Sequence, residues 1–102
     1  IESGIIYGLS AAMFGEVTIE NGGVAQSNFH DYQILRMSDA PMIETHVVNG
    51  GGPVGGAGEP GTPAVAPALA NAIYNATGSR VRQLPLKNYD LKFRIEESDE
   101  VA

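Results

Sequence analysis

Apolar residues fall at helical spacing from the first position onward. Ile1, Ile5, Leu9, Ala12 and Met13 share one face, which predicts an amphipathic helix at the start of the chain. Gly4 and Gly8 lie on the same segment as a small-xxx-small pair. Two glycines four apart cost helix propensity and let another backbone come close. They predict tight packing, either within the fold or against a surface the chain lacks.

The period then changes. Val17 and Ile19 alternate with Thr18 and Glu20, Asn21-Gly22-Gly23 supplies a positive-φ turn, and Val24 opens a return strand, the signature of a hairpin. From Ser27 to Ser38 no period holds, which predicts an irregular, packed connection closed by Pro41. Met42 to Val48 (MIETHVV) alternates again and predicts a second, half-buried strand. Asn49 to Gly61 (NGGGPVGGAGEPG) has no side chains able to build a core and reads as a loop shaped by glycine and proline.

Thr62-Pro63 signals helix entry, with Leu69, Ala70, Ile73 and Thr77 as the apolar stripe and Asn71 and Asn75 facing outward. Pro67 leaves the start open: either the first turn is separate or the helix proper begins at Pro67. Gly78 is the natural residue to end this helix. Tyr89, Leu91, Phe93 and Ile95 alternate with Asp90, Lys92 and Arg94, the cleanest strand signal in the sequence, and Glu96 to Ala102 is an acidic tail. The predicted fold is α+β, with residues 1–95 as one small domain. Two main helices pack on a short, mostly antiparallel sheet, with the Gly-rich loop before the second helix and 96–102 as a disordered tail.

Composition narrows the function classes. The chain has 102 residues, 43% of them hydrophobic, enough for one small core. Twelve acidic against six basic residues give a net charge of −6, which argues against a nucleic-acid partner. There is no Cys, so disulfides, zinc knuckles and thiol nucleophiles are excluded. No apolar run approaches the roughly 20 residues of a spanning helix. The chain opens on Ile1, already in helical register, which reads as a cut N-terminus.

Gly56-Ala57-Gly58-Glu59-Pro60-Gly61 matches G-x-G-x-x-G literally. Three features count against a dinucleotide site. The motif starts well after Val48, Glu59 and Pro60 would crowd a pyrophosphate, and Ser79-Arg80-Val81-Arg82 stands where an acidic ribose ligand belongs. No Gly-Lys-Ser/Thr follows to make a P-loop. Glu59 remains a candidate by itself, as the only charged side chain between His46 and Arg80. One reading is a solvated loop carboxylate. The other is a general base, since nonpolar, partly desolvated surroundings raise a carboxylate's pKa and the following helix end offers N–H groups to an anionic ligand. His30 and His46 read as structural, because Asp31 and Glu44 do not complete a metal-ligand pattern. No metal-ligating residue is assigned.

Four blocks in order carry a family resemblance: Ile1 to Ala12 (IESGIIYGLSAA), Gln26 to Tyr32 (QSNFHDY), Gly55 to Pro63 (GGAGEPGTP) and Ala66 to Ile73 (APALANAI). Together they resemble the C-terminal part of the large, molybdenum-binding subunit of molybdenum hydroxylases. The likeness is to xanthine dehydrogenase and aldehyde oxidoreductase, and especially to the isoquinoline 1-oxidoreductase type. The resemblance runs from Ile1 to about Leu86. It implies that Glu59 is the general base beside the molybdenum, and that Ala57 and Gly58 are adjacent cofactor-binding backbone. It implies a molybdenum-pterin cofactor of the cytosine dinucleotide form, with iron–sulfur clusters on a separate subunit. The implied reaction is hydroxylation of an N-heterocycle or an aldehyde, with water as the oxygen source.

On that reading the partners are the remainder of the large subunit and an iron–sulfur small subunit. The chain is then an excised domain or a separately encoded remnant, inactive and without bound cofactor alone. The competing class is a stand-alone binding or scaffolding module that keeps the fold without the chemistry.

Overall fold

The computed structural model describes residues 1–88. The strand expected at Tyr89 to Ile95 and the tail at 96–102 lie outside the described residues. Helix α1 spans Glu2–Met13, with Glu2 in its first turn, where a negative charge favours the helix dipole. It closes when the Phe14 and Gly15 N–H groups both donate to the Ser10 carbonyl at 3.0 Å. Strands β1 (Ile19–Glu20) and β2 (Gly23–Val24) pair antiparallel, with Ile19 opposite Val24. Their turn carries positive φ at Asn21 (51°) and Gly22 (80°), as a two-residue hairpin requires. Short 3-10 turns follow at Met37–Asp39 and, after the second helix, at Leu86–Asn88.

Helix α2 spans Gly61–Thr77 without a break. Pro67 lies inside it, so the first turn is not separate and the helix does not begin at Pro67; entry falls within one residue of Thr62-Pro63. Pro63 and Pro67 are exposed, and the backbone bond that Pro67 forgoes is left on the solvent side. Gly78, at φ 76°, ends α2 in the left-handed conformation, its N–H donating to the Tyr74 carbonyl at 2.7 Å.

The two helices pack on each other. Gly4, Gly8, Leu9 and Ala12 are the buried residues of α1, and Val65 is the buried residue of α2. A Cβ on Gly8 would stand 2.7 Å from the Thr62 carbonyl oxygen and 3.1 Å from the Val65 side chain. A Cβ on Gly4 would collide with the Gly58 carbonyl oxygen. The small-xxx-small pair is therefore used within the chain, which resolves the alternative left open by the sequence. Leu69, Ala70, Ile73 and Thr77 are only half-buried or less, because α1 lies against the first turns of α2 and not along its whole stripe.

The class is α+β, but the helices do not sit on the sheet. Among the described residues, the element pairs in contact are α1 with α2, the two strands with each other, and α1 with the turn at Leu86–Asn88. That last contact buries Leu86 and brings Glu16 within 3.6 Å of Lys87 and 3.0 Å of the Asn88 amide. Met42 to Val48 forms no strand and is exposed, apart from a half-buried Ile43. The reason is topological: a ladder needs a partner strand, and the described residues offer none beside it.

Candidate functional site

Glu59 stands two residues ahead of α2, on a backbone fastened to α1. The Thr62 hydroxyl donates to the Gly4 carbonyl at 2.9 Å, and the Thr62 N–H donates to the Glu59 carbonyl at 3.0 Å. The Gly58 carbonyl sits against Gly4, and an added Cβ on Gly61 would meet the Ile5 side chain at 3.2 Å. Four contacts thus fix the backbone on both sides of Glu59. Its side chain is exposed.

The carboxylate borders an open cleft of about 1130 Å³ between this loop and the first turns of α1. Ser3, Tyr7, Gly56, Gly58 and Pro63 are among its walls. Ala57 lies in the same loop without lining the cleft. Ser3 and Tyr7 are the residues that sequence reasoning missed. Each precedes one of the α1 glycines and the two are four apart, so a helical projection anchored on Gly4 and Gly8 would have placed them together.

Two expectations about this site change. The partly desolvated surroundings expected for Glu59 are not supplied by the described residues, because every position from Asn49 to Pro60 is exposed. The start of α2 is also poorer in donors than expected. Pro63 has no N–H, and the Thr62 N–H is taken by the Glu59 carbonyl.

The loop glycines differ in kind from those of α1. Added Cβ atoms on Gly50, Gly52, Gly55, Gly56 and Gly58 would meet nothing within 4 Å. Nothing in the described chain requires glycine at those five positions. A molybdenum-pterin cofactor fits this loop as one edge of a site: bare backbone open to close approach, with a single carboxylate beside it. Among the described residues there is no group of three or more His, Cys, Asp or Glu that could hold a metal ion.

The histidines lie elsewhere. His30 Nε2 is 3.5 Å from Asp31, and His46 Nε2 is 3.5 Å from Glu44, both on the surface. Asp31 organises the connection after the hairpin, accepting the Ser27 N–H at 3.0 Å and the Asn28 N–H at 3.1 Å. The Asn28 N–H is the main reason its carboxyl is held below the ordinary value; desolvation opposes it, and the Ser27 N–H and His30 add to the lowering. Leu35, further along, is tied to α1 by its N–H donating to the Ser10 hydroxyl at 3.0 Å.

No protein-family model matches the sequence. Individual relatives do. The chain is 40% identical over 87 residues to the isoquinoline 1-oxidoreductase subunit beta of Brevundimonas diminuta, covering 85% of this chain and 11% of that protein. It is 32% identical over 87 residues to the aldehyde oxidoreductase molybdenum-binding subunit PaoC of Escherichia coli, covering 78% and 12%. The chain belongs to the family of molybdenum hydroxylase large subunits. A further relative, 37% identical over 90 residues (88% and 12%), is named a membrane-bound aldehyde dehydrogenase of pyrroloquinoline quinone type, from Gluconacetobacter polyoxogenes. The chain spans about one-ninth of the length of these large subunits. Among the described residues no helix is long and apolar enough to cross a membrane.

Proposed function

We propose that this chain is the part of a molybdenum hydroxylase large subunit that carries the catalytic base, Glu59, to the edge of the molybdenum-pterin site. One observation carries the reading. The only charged side chain between His46 and Arg80 is held by a backbone clamped to α1 on both sides, at the border of a cleft. A solvated loop carboxylate has no need of such anchoring. The relatives named for molybdenum support the choice of cofactor.

The bound cofactor would supply electron acceptance and activation of water. The chain's own part is narrower. Glu59 takes up the proton released as the water-derived oxygen attacks an electron-poor carbon of an N-heterocycle or aldehyde, and holds it at a carboxylate oxygen. Clamping at Gly4 and Thr62 holds the backbone that bears this carboxylate, which narrows the geometry to be found in each turnover. The bare backbone of Gly56 and Gly58 would give the cofactor room, in a cleft that Tyr7 and Pro63 also line. With no Cys, this sequence holds no iron–sulfur cluster, and the placing of such clusters on a separate subunit belongs to the same proposal. The cytosine dinucleotide form of the pterin, and the roles of Ala57 and Gly58 beside it, belong to the same proposal.

Glu59→Gln in the complete enzyme tests it. The amide keeps the shape and removes the base, so kcat/KM falls by roughly 10²–10⁴ while molybdenum content and melting temperature stay level. Near wild-type turnover by a metal-loaded variant overturns the assignment. Joint loss of metal and stability would make Glu59 structural.

A further inference from the structure

Residues 42–48 are the least explained stretch of the described chain. Their sequence is that of a strand: Ile43, Thr45 and Val47 fall on one side, Glu44 and His46 on the other, with Pro41 before and Asn49-Gly50 after. The Glu44 and His46 side chains meet at 3.5 Å, as residues two apart do on an extended backbone. Yet among the described residues no backbone hydrogen bond reaches 42–48. Met42, Val47 and Val48 are 93%, 82% and 85% exposed. A run of strand-like sequence whose backbone donors and acceptors find no backbone partner among the described residues is a template for pairing.

We infer that 42–48 is a strand whose ladder partner is a β-strand from the large-subunit residues outside this chain. The hairpin strands are not that partner, since they pair with each other and no backbone hydrogen bond joins them to 42–48. A second copy of the chain is disfavoured by length. The relatives are about nine times as long as the matched stretch, so most of the subunit that could supply a strand lies outside it. The partner is thus a strand with free backbone groups and an apolar side to set against Ile43 and Val47, joined by main-chain pairing. Seated there, it would also fix the start of the glycine loop that leads to Glu59.

This inference rests on the chain being part of a longer subunit, but not on the role of Glu59. Its readout is backbone protection, which stays interpretable even if Glu59→Gln leaves turnover intact. Amide exchange is followed in the complete large subunit and in the 102-residue chain. Amides of 42–48 should exchange on the order of 100-fold more slowly in the complete subunit than in a free peptide, and at the free-peptide rate in the chain. Free-peptide exchange in the complete subunit overturns the inference. So does protection in the chain alone: concentration-dependent protection would assign the partner to a second copy, and concentration-independent protection would assign it to this chain. Thr45→Pro, which removes an amide from the middle of the run, should lower the melting temperature of the complete subunit more than Gly52→Pro. Equal effects would count against pairing.

Discussion

The helix pair and the stretch from 42 to 60 use the same kinds of residue for opposite ends. In the helix pair, the special residues are explained by neighbours in the chain: Gly4 by the Gly58 carbonyl, Gly8 by Thr62 and Val65. Between 42 and 60, β-branched residues have no ladder and five glycines face open space. Residues matched to a neighbour that is present mark where the chain packs on itself. Residues matched to nothing among the described residues are where contact with the rest of a larger subunit is proposed.

The contrast can be broken at either end. Gly8→Val should be the most damaging to stability, because a Cβ must push on the Thr62 carbonyl and on Val65. Overpacking of this kind costs about 1–3 kcal/mol, visible in a thermal melt. Ala11→Val, on the exposed side of α1, should fall within about 0.5 kcal/mol. If the two variants melt alike, the close approach of the helices is wrong.

Thr62→Val keeps the shape and removes the hydroxyl that donates to the Gly4 carbonyl. The expected loss is about 1 kcal/mol, and Thr62→Ser should restore most of it. In the complete enzyme Thr62→Val should also lower kcat more than it raises KM, since the bond steadies the backbone beside Glu59. No separation between the Val and Ser variants would remove Thr62 from the clamp.

Gly56→Ala sharpens the other side of the comparison. In the chain alone it should be neutral or stabilising by about 0.4–1 kcal/mol, since the added methyl meets nothing and φ is not positive. In the complete enzyme it should lower cofactor content, because that face is where close approach is proposed. Full cofactor loading would mean that the glycine serves the loop's own conformation.

The smallest effect concerns Asp31, which belongs to neither region. Its carboxyl titrates below the ordinary value when folded, so the stability it lends is present in full above about pH 3.9. That stability is lost as pH falls through the lowered folded value. The Ser27 and Asn28 amide shifts should report this midpoint in an NMR titration, and a midpoint at the ordinary value would remove the turn's hydrogen bonds from the account.

Local chemistry was legible in the residues. Asn21-Gly22 demands a positive-φ turn, Gly78 ends α2, and the period of Ile1 to Met13 places α1; each depends on neighbours within a few positions. The order of motifs around Glu59 pointed to the family, because four separated blocks in sequence are a stronger signal than any one. Three things were not legible. That α2 runs through Pro67 depended on which side of the helix faces solvent. That Gly4 and Gly8 serve α2, and that Ser3 and Tyr7 border Glu59's cleft, depended on where a helix 58 residues away along the chain would lie. Whether Met42 to Val48 pairs depended on a strand that alternation cannot supply. Periodicity reports how a segment would present its side chains to a neighbour, whereas burial and pairing are properties of two surfaces together. A single segment's residues therefore specify its own conformation and the kind of contact it needs, and the packed chain alone identifies the contact it receives.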